Sequence, residues 1–308
     1  MSWRIFTGTG APGAAEAWRA LPEPPPWRDR STAVSSFVMT DELRDAVNAA
    51  LHLRRPLLLT GAPGSGKSTL VNVIADELDL GAPLAWHVTS RSTREEALYQ
   101  YDALGRLHAT QMPSRSARAD DVERFVTLGP LGTALADPDR PRAVLIDEID
   151  KSDLDLPGDL LNVLDQGEFD IPPLVRAGAA LRRVRGADRG EYAVADGVVR
   201  RRHWPVIVLT SNGERTFPAA FLRRCIRFQM PPPSEQHLRD VVSAYLAQAA
   251  ADAEGDKIAE FARRVVAGES LALDQLLNFV YLVSGEQRPD AAARSHVERI
   301  VLEGLTGP

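Results

Sequence analysis

The run Gly61-Ala62-Pro63-Gly64-Ser65-Gly66-Lys67-Ser68 constrains this chain more than any other feature. Its pattern, G-x-x-x-x-G-K-S, carries meaning only where a buried strand leads in and a helix leads out. Both are present. Pro56-Leu57-Leu58-Leu59-Thr60 is an apolar, strand-like run, and Thr69 to Leu78 places apolar residues at 70, 71, 73, 74 and 78, as a helix would. The glycines let backbone N–H groups close around phosphate oxygens, and the helix N-terminus adds positive potential. Lys67 is placed to reach the β- and γ-phosphates of a nucleotide and Ser68 to hold Mg²⁺. With Ala62, Pro63, Ser65 and Thr69, this segment forms the expected nucleotide cradle.

Such a loop needs a parallel sheet behind it, and the chain supplies one. Apolar runs occur at 57–60, 84–88, 143–146, 205–209 and 225–230, and several are continuous, as in strands covered on both faces. Helical signals alternate with them. Thr40 caps a run with Leu43, Ala46, Val47, Ala50 and Leu51 on one face, and 157–166 starts at Pro157 and stops at Gly167. The fold class expected is α/β: a three-layer αβα nucleotide-binding core with a parallel five-stranded sheet. After Pro231-Pro232-Pro233 the character changes. Ser234 caps a helix with Leu238, Val241, Val242, Tyr245 and Leu246, and three more helical stripes follow, with no comparable strand signal. The expected organisation is a Trp- and Pro-rich strap over 1–36, a core over 37–232, and a small all-α lid over 233–308. Trp3, Trp18 and Trp27 argue that the strap packs on a surface or docks a partner rather than trailing free.

The bulk properties exclude more than they assign. A net charge of −6 implies no globally basic nucleic-acid surface. Cys225 is the only cysteine, so intrachain disulfides and thiolate metal sites are out, and the histidines show no metal spacing. No apolar run reaches membrane-spanning length and no secretory leader is readable, so no membrane insertion and a cytoplasmic location are expected.

Three further segments carry chemistry. Ala143-Val144-Leu145-Ile146-Asp147-Glu148 delivers two carboxylates at a strand's C-terminal end, where ligands bind in open α/β sheets. Asp147 is placed for the Mg²⁺ shell, and Glu148 to orient and deprotonate an attacking water. Val206 to Asn212 ends another strand in small polar residues. Asn212 could meet the γ-phosphate or the water, or simply form a turn. Arg223 and Arg224 precede the last strand, either as a solvated edge or as an arginine finger reaching a neighbour's γ-phosphate.

In this order the motifs resemble the AAA+ ATPases. The stretches Leu145-Ile-Asp-Glu-Ile-Asp-Lys-Ser, Leu160-Leu-Asn-Val-Leu-Asp-Gln-Gly-Glu-Phe and Leu209-Thr-Ser-Asn-Gly-Glu-Arg-Thr-Phe-Pro-Ala-Ala-Phe-Leu-Arg-Arg are similar to the MoxR-like group. The resemblance spans roughly 38–300. It implies that Gly61, Gly64, Gly66, Lys67 and Ser68 are Walker A, Asp147 and Glu148 Walker B, Asn212 sensor 1, and Arg224 the finger, with Arg223 second. Phe37, Val38 and Met39 match the stretch that covers adenine. It further implies ATP and Mg²⁺ as cofactors, ATP hydrolysis at subunit interfaces of a ring, usually a hexamer, and chaperone-like remodelling of a protein partner. Some relatives pair with a von Willebrand factor A-domain protein, and some serve bacterial defence. One departure stands out: 270–276 holds no arginine where the family has its sensor 2, and Arg263 and Arg264 are poor substitutes.

Two insertions are expected, at about 97–127 and 173–204. The second carries eight arginines against three acids, so it is either a solvated hairpin or a face for an acidic protein. Nucleic acid is disfavoured as partner because only Tyr192 and Trp204 accompany the arginines. The competing readings are a nucleic-acid-dependent AAA+ motor and an ATP-gated switch with little turnover. A small-molecule kinase is more distant.

Overall fold

The computed structural model describes residues 3, 5, 6, 8, 19, 21–111, 121–178, 180–269, 271–285 and 288–303. They fall into two compact units: one formed by Thr40–Thr60 with Leu70–Gln229, the other by residues up to Met39, Gly61–Thr69 and the chain from Met230 onward. The strands are β1 (Leu57–Thr60), β2 (Leu84–His87), β3 (Tyr99–Tyr101), β4 (Val126–Leu128), β5 (Ala143–Asp147), β6 (Glu168–Asp170), β7 (Leu181–Arg185), β8 (Glu191–Ala195), β9 (Val198–Arg200), β10 (Val206–Ser211) and β11 (Ile226–Gln229).

In the first unit, β1, β2, β5, β10 and β11 form a parallel sheet in the order β11-β1-β10-β5-β2. The five apolar runs read from sequence are these five strands. All of β5 is buried, and β10 is buried after its first residue, because helices cover both faces. Edge strand β11 buries only partly. The helix Asp41–Leu53 starts as expected, with the Thr40 hydroxyl accepting the Leu43 N–H at 3.3 Å. The helix Leu156–Gln166 carries Pro157 in its first turn and stops at Gly167, φ +71°.

The expected insertion at 173–204 holds the antiparallel hairpin β7–β8, and the one at 97–127 holds β3 and the start of β4. With β6 they form one six-stranded sheet, in the order β3-β4-β7-β8-β9-β6. Strands β3 and β4 pair antiparallel, and β4 meets β7 through the single register pair Thr127↔Arg185. Arg142, at the foot of β5, anchors this sheet. Its guanidinium reaches Asp188 at 2.8 Å, Asp137 at 3.1 Å, the Tyr192 hydroxyl at 3.2 Å and the Ala82 carbonyl at 3.1 Å. Half of the eight arginines in 173–204 are also engaged within the unit. Arg182 pairs with Glu123 at 2.8 Å, Arg200 with Glu168 at 3.3 Å and Arg183 with Glu191 at 3.8 Å. Arg201 donates to the Leu164 carbonyl at 2.5 Å and lies 3.5 Å from the Trp204 ring centroid. Of the three ion pairs only Arg182–Glu123 is largely buried, at 18% and 24% exposed; those of Arg183 and Arg200 stand in solvent.

The second unit is helical over its described C-terminal residues: Glu235–Leu246, Gln248–Ala253, Gly255–Val266, Leu273–Ser284 and Ala291–Val301. Ser234 caps the first, accepting the His237 N–H at 3.1 Å. The short second helix carries alanines rather than an apolar stripe and gave no sequence signal. Leu238, Val242, Ile258, Phe261, Leu276 and Phe279 centre its core, and Trp3 and Trp27 pack against it. Trp27 stands edge-on to Tyr245 (6.1 Å between centroids) and Tyr281 (5.6 Å). The two tyrosines donate to the carbonyls of Ala33, at 3.5 Å, and Glu23, at 3.3 Å. Pro25, φ −56° and ψ 147°, has the extended backbone its Pro-rich surroundings predict. Trp18 lies outside the described residues. Among those described, no helix is long and apolar enough to cross a membrane.

Candidate functional site

In the second unit, the glycine loop folds as the spacing demands. Gly64 (φ +73°) and Gly66 (φ +83°) occupy left-handed conformations that strain any residue with a side chain, and both stand close to a neighbour. A Cβ on Gly64 would sit 3.0 Å from the Leu273 nitrogen, and one on Gly66 would sit 3.1 Å from the Phe37 ring. Lys67 opens the helix Lys67–Glu77, is buried, and donates from Nζ to the carbonyls of Gly61 and Ala62, each at 2.8 Å. Of the residues expected over adenine, Phe37 lies against the loop at Gly66, whereas Val38 packs into the helical core. Where sequence found no sensor 2 arginine, the start of the helix Leu273–Ser284 brings a carboxylate: Asp274 Oδ1 lies 3.3 Å from the position of a Gly64 Cβ.

This loop fits a nucleotide polyphosphate. Its glycines leave a backbone cradle, a buried ammonium stands at its end, and Ser65 Oγ is buried without a hydrogen-bond partner. Of the residues expected to hold Mg²⁺, Ser68 belongs to this unit and Asp147 to the other. Among the described residues no three His, Cys, Asp or Glu side chains gather around one point.

In the first unit, the sheet aligns the other candidates. Thr60, from which the loop departs, is in register with Ser211, the neighbour of Asn212, and β10 pairs in turn with β5. Asp147 closes β5, and Glu148 follows in a left-handed conformation, φ 60° and ψ 45°. The Thr210 hydroxyl donates to Asp147 Oδ1 at 2.5 Å and accepts the Glu148 N–H at 2.9 Å. Asp147 Oδ2 faces His87 Nδ1 at 3.2 Å. Glu148 pairs with Lys151 at 2.8 Å, and that hydrogen bond raises the Lys151 ammonium above its ordinary range. Asp150 Oδ2 accepts the N–H groups of Asn212 (3.0 Å) and Glu214 (3.1 Å). Asp147 and Glu148 thus share the Thr210 hydroxyl, and a separate pair of bonds to Asp150 holds the backbone at Asn212.

Arg224 lies elsewhere in the same unit, 3.5 Å from Asp165 and 3.3 Å from Asn162 Oδ1. It lines a cleft with Arg54, Arg55 and Trp204. Arg223 is exposed, and its carbonyl accepts from Arg55 at 3.2 Å. Cys225, beside them, is chemically quiet, since burial pushes its thiol up to about 12. Sequence reading missed Thr210, His87, Asp150 and Lys151. The i, i+3 spacing of Glu148 and Lys151 was a usable signal; the cross-strand partners had none without the register.

The model of the AAA domain, dynein-related subfamily, matches residues 56–225, more than half of the chain. No curated protein matches it. Among solved structures, NtrX from Brucella abortus in complex with ATP is similar at 16% identity and a TM-score of 0.48, covering 86% of this chain and 53% of that one. The same protein in complex with ADP matches at 16% and 0.48, covering 85% and 53%. The chain spans about half the length of those chains.

Proposed function

The chain belongs to the dynein-related subfamily of AAA domains, and we propose that it hydrolyses ATP with Mg²⁺ at the interfaces of a ring of identical subunits to remodel a protein partner. The observation that carries this reading is the pair Asp147–Glu148 at the C-terminal end of a fully buried strand, one strand removed from the strand that feeds the glycine loop. ATP with its cation supplies the electrophilic phosphorus. Gly61, Ala62, Pro63, Gly64, Ser65, Gly66 and Thr69 cradle the phosphates, Lys67 neutralises their charge, and Ser68 and Asp147 hold the ion. Phe37 covers the base. Glu148 takes the proton from the attacking water and Asn212 orients that water. Arg224 from a neighbouring copy, with Arg223 as the alternative, offsets charge in the transition state. Residues 233–308 serve as the lid. The finer assignment is MoxR-like, with a von Willebrand factor A-domain protein as the partner class and a role in bacterial defence within its range.

A second reading, an ATP-gated switch with little turnover, draws support from Asp274, an acid beside the loop where an arginine would favour phosphate. Glu148→Gln separates the two. On the ATPase reading this variant binds ATP as tightly as wild type but turns over about 10²–10⁴-fold more slowly, and Lys67→Ala loses nucleotide affinity. Light scattering of Glu148→Gln with ATP and Mg²⁺ then reports a ring. Wild-type turnover in Glu148→Gln would remove Glu148 from the mechanism; negligible turnover in the wild type with partner present would favour the switch.

A further inference from the structure

Resting on the reading of Glu148 as the base, we propose that Thr210 is the positioning residue that sets its aim. The β10–β5 ladder ends at Leu209↔Ile146. Just beyond, Glu148 turns into a left-handed conformation uncommon for a residue with a side chain. A residue that leaves the ladder also leaves its N–H without a strand partner, and a buried N–H must find another. The Thr210 hydroxyl is that partner, and because it carries one hydrogen its polarity is fixed. It accepts from Glu148 N–H (2.9 Å) and gives its own proton to Asp147 Oδ1 (2.5 Å). One hydroxyl therefore holds one oxygen of the Asp147 carboxylate, whose other oxygen faces His87, and the backbone of the base together.

The return stitch runs the other way, from Asp150 Oδ2 to the N–H groups of Asn212 and Glu214. The acid-bearing turn and the asparagine-bearing loop are joined by these two reciprocal side-chain-to-backbone bridges. Thr210 is 1% exposed, so bulk water has no route to replace its hydroxyl. The Lys151 ion pair on the Glu148 carboxylate is exposed at 41% and 35% and holds it only loosely. The aim of Glu148 is therefore fixed through its backbone, and a displacement of about 1 Å at a reacting group costs on the order of 10² in rate.

The test compares wild type, Thr210→Ser and Thr210→Val. In the unliganded protein, hydrogen exchange at the Glu148 amide accelerates at least ~10-fold in Thr210→Val and stays near wild type in Thr210→Ser. In turnover, Thr210→Val loses ~30- to 100-fold in kcat with nucleotide affinity within about 3-fold, and Thr210→Ser retains most of kcat. Placed on Glu148→Gln, Thr210→Val lowers the residual rate by less than ~3-fold, because both changes act on one step. Melting temperatures of the three proteins identify general unfolding, in which case Thr210→Ser and the amide exchange decide. Full kcat in Thr210→Val with Glu148→Gln inactive would overturn this inference and leave the proposed function standing. Full turnover in Glu148→Gln would remove the function on which it rests.

Discussion

Replacing Arg142 by methionine tests how the second sheet is held to the parallel sheet. The change keeps volume and deletes the guanidinium that contacts Asp137, Asp188, Tyr192 and the Ala82 carbonyl. Arg142 and Asp137 side chains are each 9% exposed, and Asp188 is 26% exposed. Removing one partner from a buried pair costs ~3–5 kcal/mol, because the remaining charge stays desolvated. Asp188 keeps part of its hydration, so the low end applies, about 3 kcal/mol at pH 7. The pH dependence follows from Asp188. Burial pushes its carboxyl up, but the hydrogen bonds from Tyr192 and Arg142 outweigh burial and hold it below its ordinary value. A depressed folded pKa gives stability that is present above the unfolded value of ~3.9 and lost as pH falls through the folded one. Without Arg142 the Tyr192 hydrogen bond remains, but the guanidinium's share of the lowering is lost, the carboxyl moves upward, and the variant's deficit narrows as acid protonates it. The deficit measured by urea unfolding should therefore shrink between pH 7 and pH 4. A deficit under ~1 kcal/mol at pH 7, or one that grows on acidification, would refute the argument.

Two more outcomes follow from contacts already described. Trp27→Ala removes two edge-to-face contacts, with Tyr245 and Tyr281, and should cost the helical unit about 2 kcal/mol, with Trp27→Phe losing under half as much; equal melting curves would show that the N-terminal segment contributes nothing there. Arg224→Ala should spare ATP binding and lower turnover ~10³-fold, and mixing it with Lys67→Ala should restore part of the activity, because the mixed interfaces combine an intact loop with an intact arginine; no recovery in the mixture argues against a residue acting from the neighbour.

Much of the fold was legible because the strands of the parallel sheet are buried on both faces. Leu57–Leu59 and Val144–Ile146 therefore read as unbroken apolar runs, and the glycine loop fixed where the first of them ends. Helix ends were legible where a cap carried them, at Thr40, Ser234 and Gly167. The second sheet was not. Its strands run three to five residues, and its joining contact pairs Thr127 with Arg185, a distance along the chain that no local pattern encodes. The same limit hid Thr210. A small polar residue at a strand end reads as a turn until the register places it beside Asp147 and Glu148. The arginine-rich stretch misled in the opposite sense: Arg182 and Arg201 look like free charge in sequence, yet bind Glu123 and the Leu164 carbonyl.

The way β4 meets β7 has a consequence for how this protein can be altered. The two excursions from the core leave it far apart in sequence but close a common hydrogen-bonded surface, and β4, from the first, lies between β3 and β7. Excising the first would take from β7 the register pair Thr127↔Arg185 by which the two excursions join, and excising the second would take the same pair from β4. Neither excursion is a removable ornament. A chimera that transplants one must carry the other, and substitutions that favour a new partner on this face will be inherited as a set.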